Sequence, residues 1–484
     1  MSLYFERSQK LISECGPDAR YLLEIIVAAL GAWQNISVKS LAEHLRLDET
    51  VVSVALNELV VAGVLQRLVA PRDGRVGRGK VTYTLCRGSE HRLADRAYPQ
   101  HAELLHTLFS GADMAFAVLG REVSRAGKPG EPGVFSEFDE EVAARPKKGK
   151  HRLPGGRGRL SIRNRLLFAV LISRSDRFGE VQIGLPELAQ LTGMQPEQVK
   201  TRLVRLMMLG LIRRHISGLS SKVFASGRIE STYFLNIDAL APQGAIAVHL
   251  AYDRNDRTFS HADVLHSECA RAIKGRLDGL KSPASLLRLL AGQQRRVFFL
   301  FQHLLYRYAS HLLSRHWQKL ALDKPIEDAE LKALIERDFI KAPRPESASE
   351  IGPEPEAEAC GQAASDLKDG AGGEAGQTCA CIYVLAMEIA REYRVRFGQA
   401  NGVDLEAADI RILPAMNDLG YRAITILFQP VLVGLGHFSV LHEVKRGVVE
   451  NWPEANETEL ALQNRMDFGL VSLPRKVRRA LGLQ

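Results

Sequence analysis

One segment occurs twice in the chain, and this repeat constrains the fold more than any other feature. When residues 41–67 are set beside residues 188–214 without a gap, seven positions are identical. The identical pairs are Leu41/Leu188, Ala42/Ala189, Val52/Val199, Leu56/Leu203, Leu59/Leu206, Gly63/Gly210 and Arg67/Arg214. Further positions are apolar in both segments, among them Leu47/Met194, Val60/Met207, Val64/Leu211 and Leu65/Ile212. A constant offset of 147 residues between related segments indicates a duplicated structural unit.

The apolar spacing within the first copy predicts two short helices joined by a tight turn. Leu41 and Leu45 lie four residues apart, and Val52, Leu56 and Leu59 follow at spacings of four and three. The glycine that both copies share after the second helix can close that helix in a left-handed conformation. Apolar positions then lead into a strand, so the unit is predicted to be a helix-turn-helix that continues into a β-hairpin.

The quoted segments resemble a known family. "SLAEHLRLDETVVSVALNELVVAGVLQR", with "RVGRGKVTYTL" after it, is similar to the winged helix-turn-helix of MarR-type bacterial regulators. "ELAQLTGMQPEQVKTRLVRLMMLGLIRR" resembles a second copy. The resemblance covers about a third of the 484 residues and implies two DNA-binding winged helices in one chain. Pairing of two such domains is also similar to the architecture of replication initiators of plasmids or mobile elements.

The stretch "PRDGRVGRGKV" contains the spacing GxxxxGK of a phosphate-binding loop, but its context favours the tip of a wing. A phosphate-binding loop needs Ser or Thr after its Lys and a helix immediately after the loop. Here Val81 follows, and "VTYTL" alternates as a strand does. We therefore predict a hairpin tip that contacts DNA through four cations: Arg72, Arg75, Arg78 and Lys80.

The second helix of each copy is the one that would enter the major groove, and the two helices differ in chemistry. In the second copy the candidate DNA-binding residues are Gln198, Lys200, Thr201, Arg202 and Arg205. In the first copy the candidates are Thr50, Ser53 and Asn57, and none is basic. Because Gln can pair with adenine edges and Lys with guanine or phosphate, the second copy is the better candidate for base reading.

Two valines stand on the first copy's second helix where MarR-type proteins often carry polar or basic residues. Val51 and Val54 could contact a partner subunit, or they could pack on a neighbouring helical segment of the same chain. The first copy could contact the DNA backbone through its hairpin, or use its apolar helix face against a partner subunit.

A basic stretch, residues 145–165, separates the two copies and holds nine Lys or Arg and no acidic residue. Its predicted phosphate contacts are Lys147, Lys148, Lys150, Arg157 and Arg159. The letters "PGGRGR" resemble an AT-hook, although Leu160 stands where that pattern has Pro. A solvated charge run without a partner is the alternative interpretation.

The expected fold class is mainly α with small β wings, followed by a helical region and a small C-terminal α+β module. The predicted domains are two winged helices, at 17–87 and 161–240. Between them lie a helical segment at 88–140 that could form dimers and a basic linker at 141–160. A helical region at 241–340, a disordered linker at 341–378 and the α+β module at 379–484 follow. The last module has no motif and could bind a partner protein.

Composition narrows the class of partner. The net charge of +8 and the pI of about 9.1 favour phosphate-bearing partners.

The six cysteines lack zinc-site spacing and predict reduced thiols, and we expect no metal and no cofactor. The longest apolar run, Val297–Tyr306, is interrupted by Gln302 and His303, so it predicts a buried helix, and we expect no membrane span. Without a signal peptide, a cytoplasmic location is expected.

These observations predict a bacterial, sequence-specific transcription regulator that binds double-stranded DNA, forms a homodimer and has no enzymatic activity. A replication initiator of a plasmid or integrated element is the alternative. An enzyme whose carboxylates converge only in the folded chain, or a scaffold that binds protein alone, remain open at this point. The sequence contains no intact phosphate-binding loop and no catalytic triad signature.

Overall fold

A computed structural model of the chain describes residues 12–28, 36–70, 79–86, 101–110, 160–237, 246–252, 261–322, 324–341, 363–397, 406, 408–413, 423–430, 438–445, 448–454, 457, 460–467, 469–474 and 478. Over these residues the chain forms thirteen α-helices and four small sheets. The prediction of a mainly helical chain with small β elements is confirmed. None of the helices in this part of the chain is both long and apolar enough to cross a membrane.

The chain divides into two compact units, which are discontinuous in sequence. The first unit comprises Met1–His215, Ser231–Gln243 and Val471–Gln484, and the second comprises Ile216–Glu230 and Gly244–Leu470. Both copies of the repeat have their helices in the first unit.

The first copy begins with a helix and ends with an antiparallel hairpin. Its elements are α1 (Pro17–Ala28), α2 (Val38–Leu45), α3 (Glu49–Val61), β1 (Leu65–Ala70) and β2 (Lys80–Leu85). The Ser37 hydroxyl caps α2 by accepting from the Ser40 amide, and the Asp48 carboxylate caps α3 by accepting from the Thr50 amide. In the hairpin Leu65 pairs with Leu85 and Ala70 with Lys80. A single bridge pairs Ile36 with Tyr83 beside the hairpin.

The second copy repeats this order of elements after a further short helix, α4 (Ala102–Phe109). Its elements are α5 (Ile162–Ser173), β3 (Glu180–Gln182), α6 (Leu185–Thr192), α7 (Pro196–Met208), β4 (Ile212–Ile216), β5 (Leu219–Ser220), β6 (Arg228–Ile229) and β7 (Thr232–Leu235). Both ends of α6 and α7 lie 147 residues after the corresponding ends of α2 and α3, so the offset found in the sequence holds for the backbone.

The two copies share one hydrophobic core instead of forming separate ones. Its buried side chains come from α1, α2 and α3 as well as from α5, α6 and α7, and α4 adds four more. At the centre Arg20 is buried and donates to the carbonyls of Cys15, Gln190 and Leu191 at 2.9, 2.5 and 2.7 Å. The first helix of one copy is thereby joined to the end of α6 in the other.

The second unit combines helices with the largest sheet. Its helices are α8 (His261–Ile273), α9 (Ala284–Leu290), α10 (Arg295–Arg315), α11 (Ala329–Phe339), α12 (Ala363–Phe397) and α13 (Leu462–Asp467), with a 3-10 turn at Lys319–Ala321. The helix α10 is buried along most of its length, and the aromatic residues Phe298, Phe301 and Tyr308 lie in the core. The prediction of a buried helix in this stretch is therefore confirmed.

The sheet takes its central strand from the middle of the chain. Its strands are β8 (Ile246–Tyr252), β9 (Ala408–Leu413), β10 (Ala423–Pro430), β11 (Phe438–Lys445) and β12 (Val448–Glu454), in the order β12-β11-β8-β10-β9. Neighbouring strands are antiparallel except for β11 and β8. The strands predicted at "DIRILP" and "YRAITILF" are present, but they join residues 246–252 in one sheet and do not form a module of their own.

One predicted linker is partly helical. Disorder was expected over 341–378, but α12 begins at Ala363. Its C-terminal half packs through Ile382, Ala386 and Tyr393, which are buried, and this packing supports a helix that the glycines near its start disfavour. Residues 342–362 of that linker lie outside the described residues.

Candidate nucleic-acid interface

The exposed surface of α7 carries three of the predicted base-reading residues. Gln198, Lys200 and Thr201 are all exposed, while Val199 and Leu203 on the opposite face are buried. The Lys200 ammonium lies 2.7 Å from the Glu197 carboxylate, and the Thr201 hydroxyl donates to the Glu197 carbonyl at 3.0 Å. An exposed ion pair of this kind contributes under ~1 kcal/mol, so the ammonium can exchange Glu197 for an anionic ligand.

The two arginines predicted beside that face are only half-exposed. The Arg202 guanidinium turns back to α5, where it donates to the Asn164 side-chain oxygen at 3.1 Å and to the Ser161 hydroxyl at 3.5 Å. Arg205 is half-buried as well. These contacts make Arg202 a residue that positions α7 against α5, whereas the outward-facing polar groups are those of Gln198, Lys200 and Thr201.

The corresponding residues of the first copy are less suited to base reading. The Thr50 hydroxyl donates to the Asp48 carboxylate at 2.7 Å and so takes part in the helix cap. Ser53 is half-buried, and Asn57 is exposed. The amide of Asn57, which is exposed and can both donate and accept, is therefore the best suited of the three candidates on α3.

The two valines of α3 are both exposed, but to different extents. Val51 is 36% exposed and Val54 59% exposed, and the second copy has Gln198 and Thr201 at the same two positions. Within the described residues more than half of Val54 is therefore left uncovered, whereas Val51 is largely covered. Val61 extends the apolar stripe by seven residues along the helix and is 89% exposed.

The first hairpin confirms the strand that was predicted after Lys80. Lys80 is the first residue of β2 and pairs with Ala70, so a strand follows the GxxxxGK spacing where a phosphate-binding loop would have a helix. The tip cations Arg72, Arg75 and Arg78 lie outside the described residues, as does the side chain of Lys80.

The tip of the second hairpin belongs to the second unit. Val223 and Phe224 are buried, and the Phe224 ring lies 5.8 Å from that of Phe339. The Ala225 amide donates to the Asp338 carbonyl at 2.9 Å. This tip is engaged by helices of its own unit, so the described chain offers one hairpin, not two, as a candidate for contact along a duplex.

An arginine that is identical in the two copies has two different environments. Arg67 is exposed on β1, whereas Arg214 on β4 is buried, and burial lowers the pKa of Arg214 to about 9. Sequence identity at this position therefore does not indicate a shared contact with DNA.

Several predicted contacts lie outside the described residues. These are the linker cations Lys147, Lys148, Lys150, Arg157 and Arg159.

In the helical segment proposed for dimerisation, the described helix α4 buries Leu104, Leu105, Leu108 and Phe109 within the first unit. The apolar side chains of α4 are therefore already packed inside their own chain.

Two features were missed by the reasoning from sequence. The central role of Arg20 left no signal in the sequence, because its acceptors lie up to 171 residues away. The second is a basic stretch at residues 271–296 of the second unit, where seven Lys or Arg stand against Asp278 alone. A scan of local charge would have found it.

In the described part of the chain, no group of three or more His, Cys, Asp or Glu side chains is placed to hold a metal ion. Comparison of the chain with protein-family models, with curated proteins and with solved structures returns no match. Any functional conclusion therefore depends on the chemistry of the surfaces described above.

Proposed function

We propose that this chain is a sequence-specific, double-stranded DNA-binding regulator of transcription with two winged helix-turn-helix domains. The observation that carries the proposal is the exposed face of α7, where Gln198, Lys200 and Thr201 follow one another on a helix of 13 residues. The side-chain amide can bond bidentately to an adenine edge, and the ammonium can bond to guanine or to a phosphate. A helix about 20 Å long fits the major groove of B-DNA.

The first copy would contribute affinity more than sequence preference. Its second helix has no basic residue, and its hairpin tip has Arg72, Arg75 and Arg78 in the sequence. Contacts from such cations to backbone phosphates position a protein on a duplex without discriminating bases. We therefore assign base reading to α7 and backbone contact to the first hairpin.

Selection of bound fragments from the native genome tests the proposal. The full-length chain should enrich a common sequence, and the double variant Gln198→Ala, Lys200→Ala should enrich fragments with a weaker consensus. A matched control, Lys319→Ala with Lys332→Ala, removes two exposed ammonium groups from the second unit and should leave the consensus unchanged. Enrichment of promoter regions supports a regulator, whereas clusters of repeated sites support a replication initiator. No enrichment at low salt overturns the proposal.

A second candidate role concerns α3 and is favoured by the exposure of Val51 and Val54. An apolar stripe on a helix that has few groups for DNA fits contact with a second copy of this chain, in which the same face meets itself about a two-fold axis. Sedimentation equilibrium should show a dimer at micromolar concentration. The variant Val51→Gln, Val54→Thr, which installs the residues of the second copy, should sediment as a monomer. An unchanged dimer would exclude α3 as the interface.

A further inference from the structure

The second unit contains a segment with strongly unbalanced charge. Residues 271–296 hold seven Lys or Arg and one acidic residue, whereas the whole chain has a net charge of +8. Six of the seven cations are exposed, and they are Lys274, Arg276, Lys281, Arg288, Arg295 and Arg296. We refer to these six residues as the basic face.

The loop that carries part of the basic face is held in place by hydrogen bonds. The buried carboxylate of Glu268 on α8 accepts from the backbone amides of Lys281 and Ser282, both at 3.0 Å. The Arg271 guanidinium donates to the carbonyl of Asp278 across the same loop. The backbone that presents these cations is thus ordered before any ligand arrives, which lowers the entropy cost of binding.

The cations occupy both ends of α8. Lys274 and Arg276 follow its last residue directly, while Arg295 at the start of α10 lies 2.7 Å from Asp263 in the first turn of α8. A helix of 13 residues is about 20 Å long, so the two groups of charge are separated by roughly that length. Duplex DNA carries one charge per ~1.7 Å of its axis, so a face of this length lies against about ten phosphates.

Ion pairs within the described residues account for only part of these charges. Arg295 and Arg296 stand in the first turn of α10, which contains no acidic residue, and helix dipoles disfavour a positive charge there by ~0.3–1 kcal/mol each. Arg295 is compensated by Asp263. By contrast, Lys274, Lys281 and Arg296 form no ion pair with any residue within the described ranges.

We propose that the basic face contacts the phosphate backbone of duplex DNA without reading its sequence. This inference rests on the proposed function for the identity of the polyanion. Four of the six exposed cations are arginines, whose planar guanidinium matches phosphate bidentately. An anionic membrane fits less well. Although Val264, Ile273 and Leu277 are exposed, Val264 and Ile273 lie nine residues apart and thus on opposite sides of α8, so the helix offers no single apolar side for insertion.

The test compares two variants of the full-length chain with equal loss of charge. The first removes part of the basic face with Lys274→Ala, Arg276→Ala, Lys281→Ala and Arg296→Ala. The control removes four other exposed cations of the same unit with Lys319→Ala, Lys324→Ala, Lys332→Ala and Lys341→Ala. Binding to a 40-base-pair duplex of random sequence is measured by fluorescence anisotropy at several salt concentrations. Sedimentation with phosphatidylserine vesicles forms a second arm.

The basic-face variant should bind the random duplex about tenfold or more weakly than the control, with a shallower dependence on salt. Each lost phosphate contact lowers the slope of log K against log salt by roughly 0.9. The consensus selected from the genome should remain that of the wild type, because α7 is intact.

Other outcomes separate this inference from the proposed function. If the wild-type chain selects a consensus and the two variants bind the random duplex alike, the basic face makes no contact and this inference alone is wrong. If the wild type binds random duplex through the basic face but selects no consensus, sequence-specific binding is wrong and this inference stands. Loss of vesicle binding with unchanged duplex binding would overturn it in favour of a membrane surface. A wild type that binds no duplex overturns both.

Discussion

The turn after the first helix of the pair has the same left-handed conformation in both copies, but it is formed by different residues. In the first copy Arg46 has φ 52°, and in the second Gly193 has φ 68°. The first turn is exposed, whereas the second lies against Cys15 and Arg20 from the first copy. A non-glycine residue is tolerated where the turn is open, and glycine is needed where the other copy packs on it. Duplication thus kept the backbone, while the shared core gave each copy its own environment.

Equivalent residues also have different environments in the second helix of each copy, α3 and α7. Counterparts of the exposed Val51 and Val54 on α3 are Gln198 and Thr201 on α7, and the exposed Arg67 corresponds to the buried Arg214. One copy therefore presents an apolar helix face, and the other presents a polar helix face together with a hairpin tip that packs on helices of the second unit. The two copies are therefore expected to have different roles, and four substitutions test how the copies differ and how they depend on each other.

The largest loss of stability is expected from Arg20→Met, which removes the side chain that joins the two copies. Its guanidinium donates to five carbonyls, those of Ile12, Ser13, Cys15, Gln190 and Leu191. Because buried acceptors left without donors each cost ~1–3 kcal/mol, we expect a loss of about 3 kcal/mol or more in the free energy of unfolding of the first unit.

Denaturant titration followed by hydrogen exchange of amides in α1 and α6 measures this loss. The matched control is Arg174→Met, which removes an exposed arginine paired with Glu187 and should change stability by less than ~1 kcal/mol. Equal effects of the two substitutions would show that the copies do not depend on Arg20.

The second-largest loss of stability is expected from Gly193→Ala. An added methyl group would lie 2.7 Å from the Cys15 carbonyl oxygen and 2.9 Å from the Arg20 Nε, and the left-handed φ adds a cost of ~1–2 kcal/mol. We expect a total destabilisation of about 2 kcal/mol or more. In the Arg20→Met background the same change should cost less, because one of the two crowded partners is gone. Additive effects in thermal unfolding would contradict this coupling.

A smaller effect, on binding, distinguishes the two second helices. Lys200 and Ser53 occupy the same position in the two copies. We expect Lys200→Ala to weaken binding to the selected site about tenfold, since one good contact to a base contributes ~1–3 kcal/mol. Ser53→Ala, at a half-buried position, should weaken it by less than about threefold. Titration of both variants with the same labelled duplex measures the ratio, and a ratio near one would mean that the copies read DNA equally.

Much of the local structure could be predicted from the sequence, because it depends on local pattern. The spacing of Leu41, Val52 and Leu56 placed both helix pairs, and the alternation after Lys80 placed β2. The contacts between the copies could not be predicted, because Asp18 and Arg163, whose bidentate ion pair links α1 to α5, are 145 residues apart. Nothing in the letters of either segment shows that the other segment packs against it.

The site was predicted less completely than the fold, for a related reason. Gln198 and Lys200 are exposed because their helix position directs them outward, and periodicity reports such positions. The orientation of Arg202 towards Asn164 depends on the packing of α5, which periodicity does not report. The engaged tip of the second hairpin likewise depends on Phe339, more than one hundred residues further along the chain.

The smallest effect, and the one with opposite sign, is expected from Arg46→Gly. Glycine adopts the left-handed conformation without the ~1–2 kcal/mol that another residue incurs, although it also gains entropy in the unfolded chain. The net result should be a stabilisation of up to about 1 kcal/mol, measured as a higher denaturant midpoint of the first unit. If Arg46→Gly instead destabilises the chain, the Arg46 side chain makes contacts that outweigh its backbone strain, and the two turns are more alike than their environments indicate.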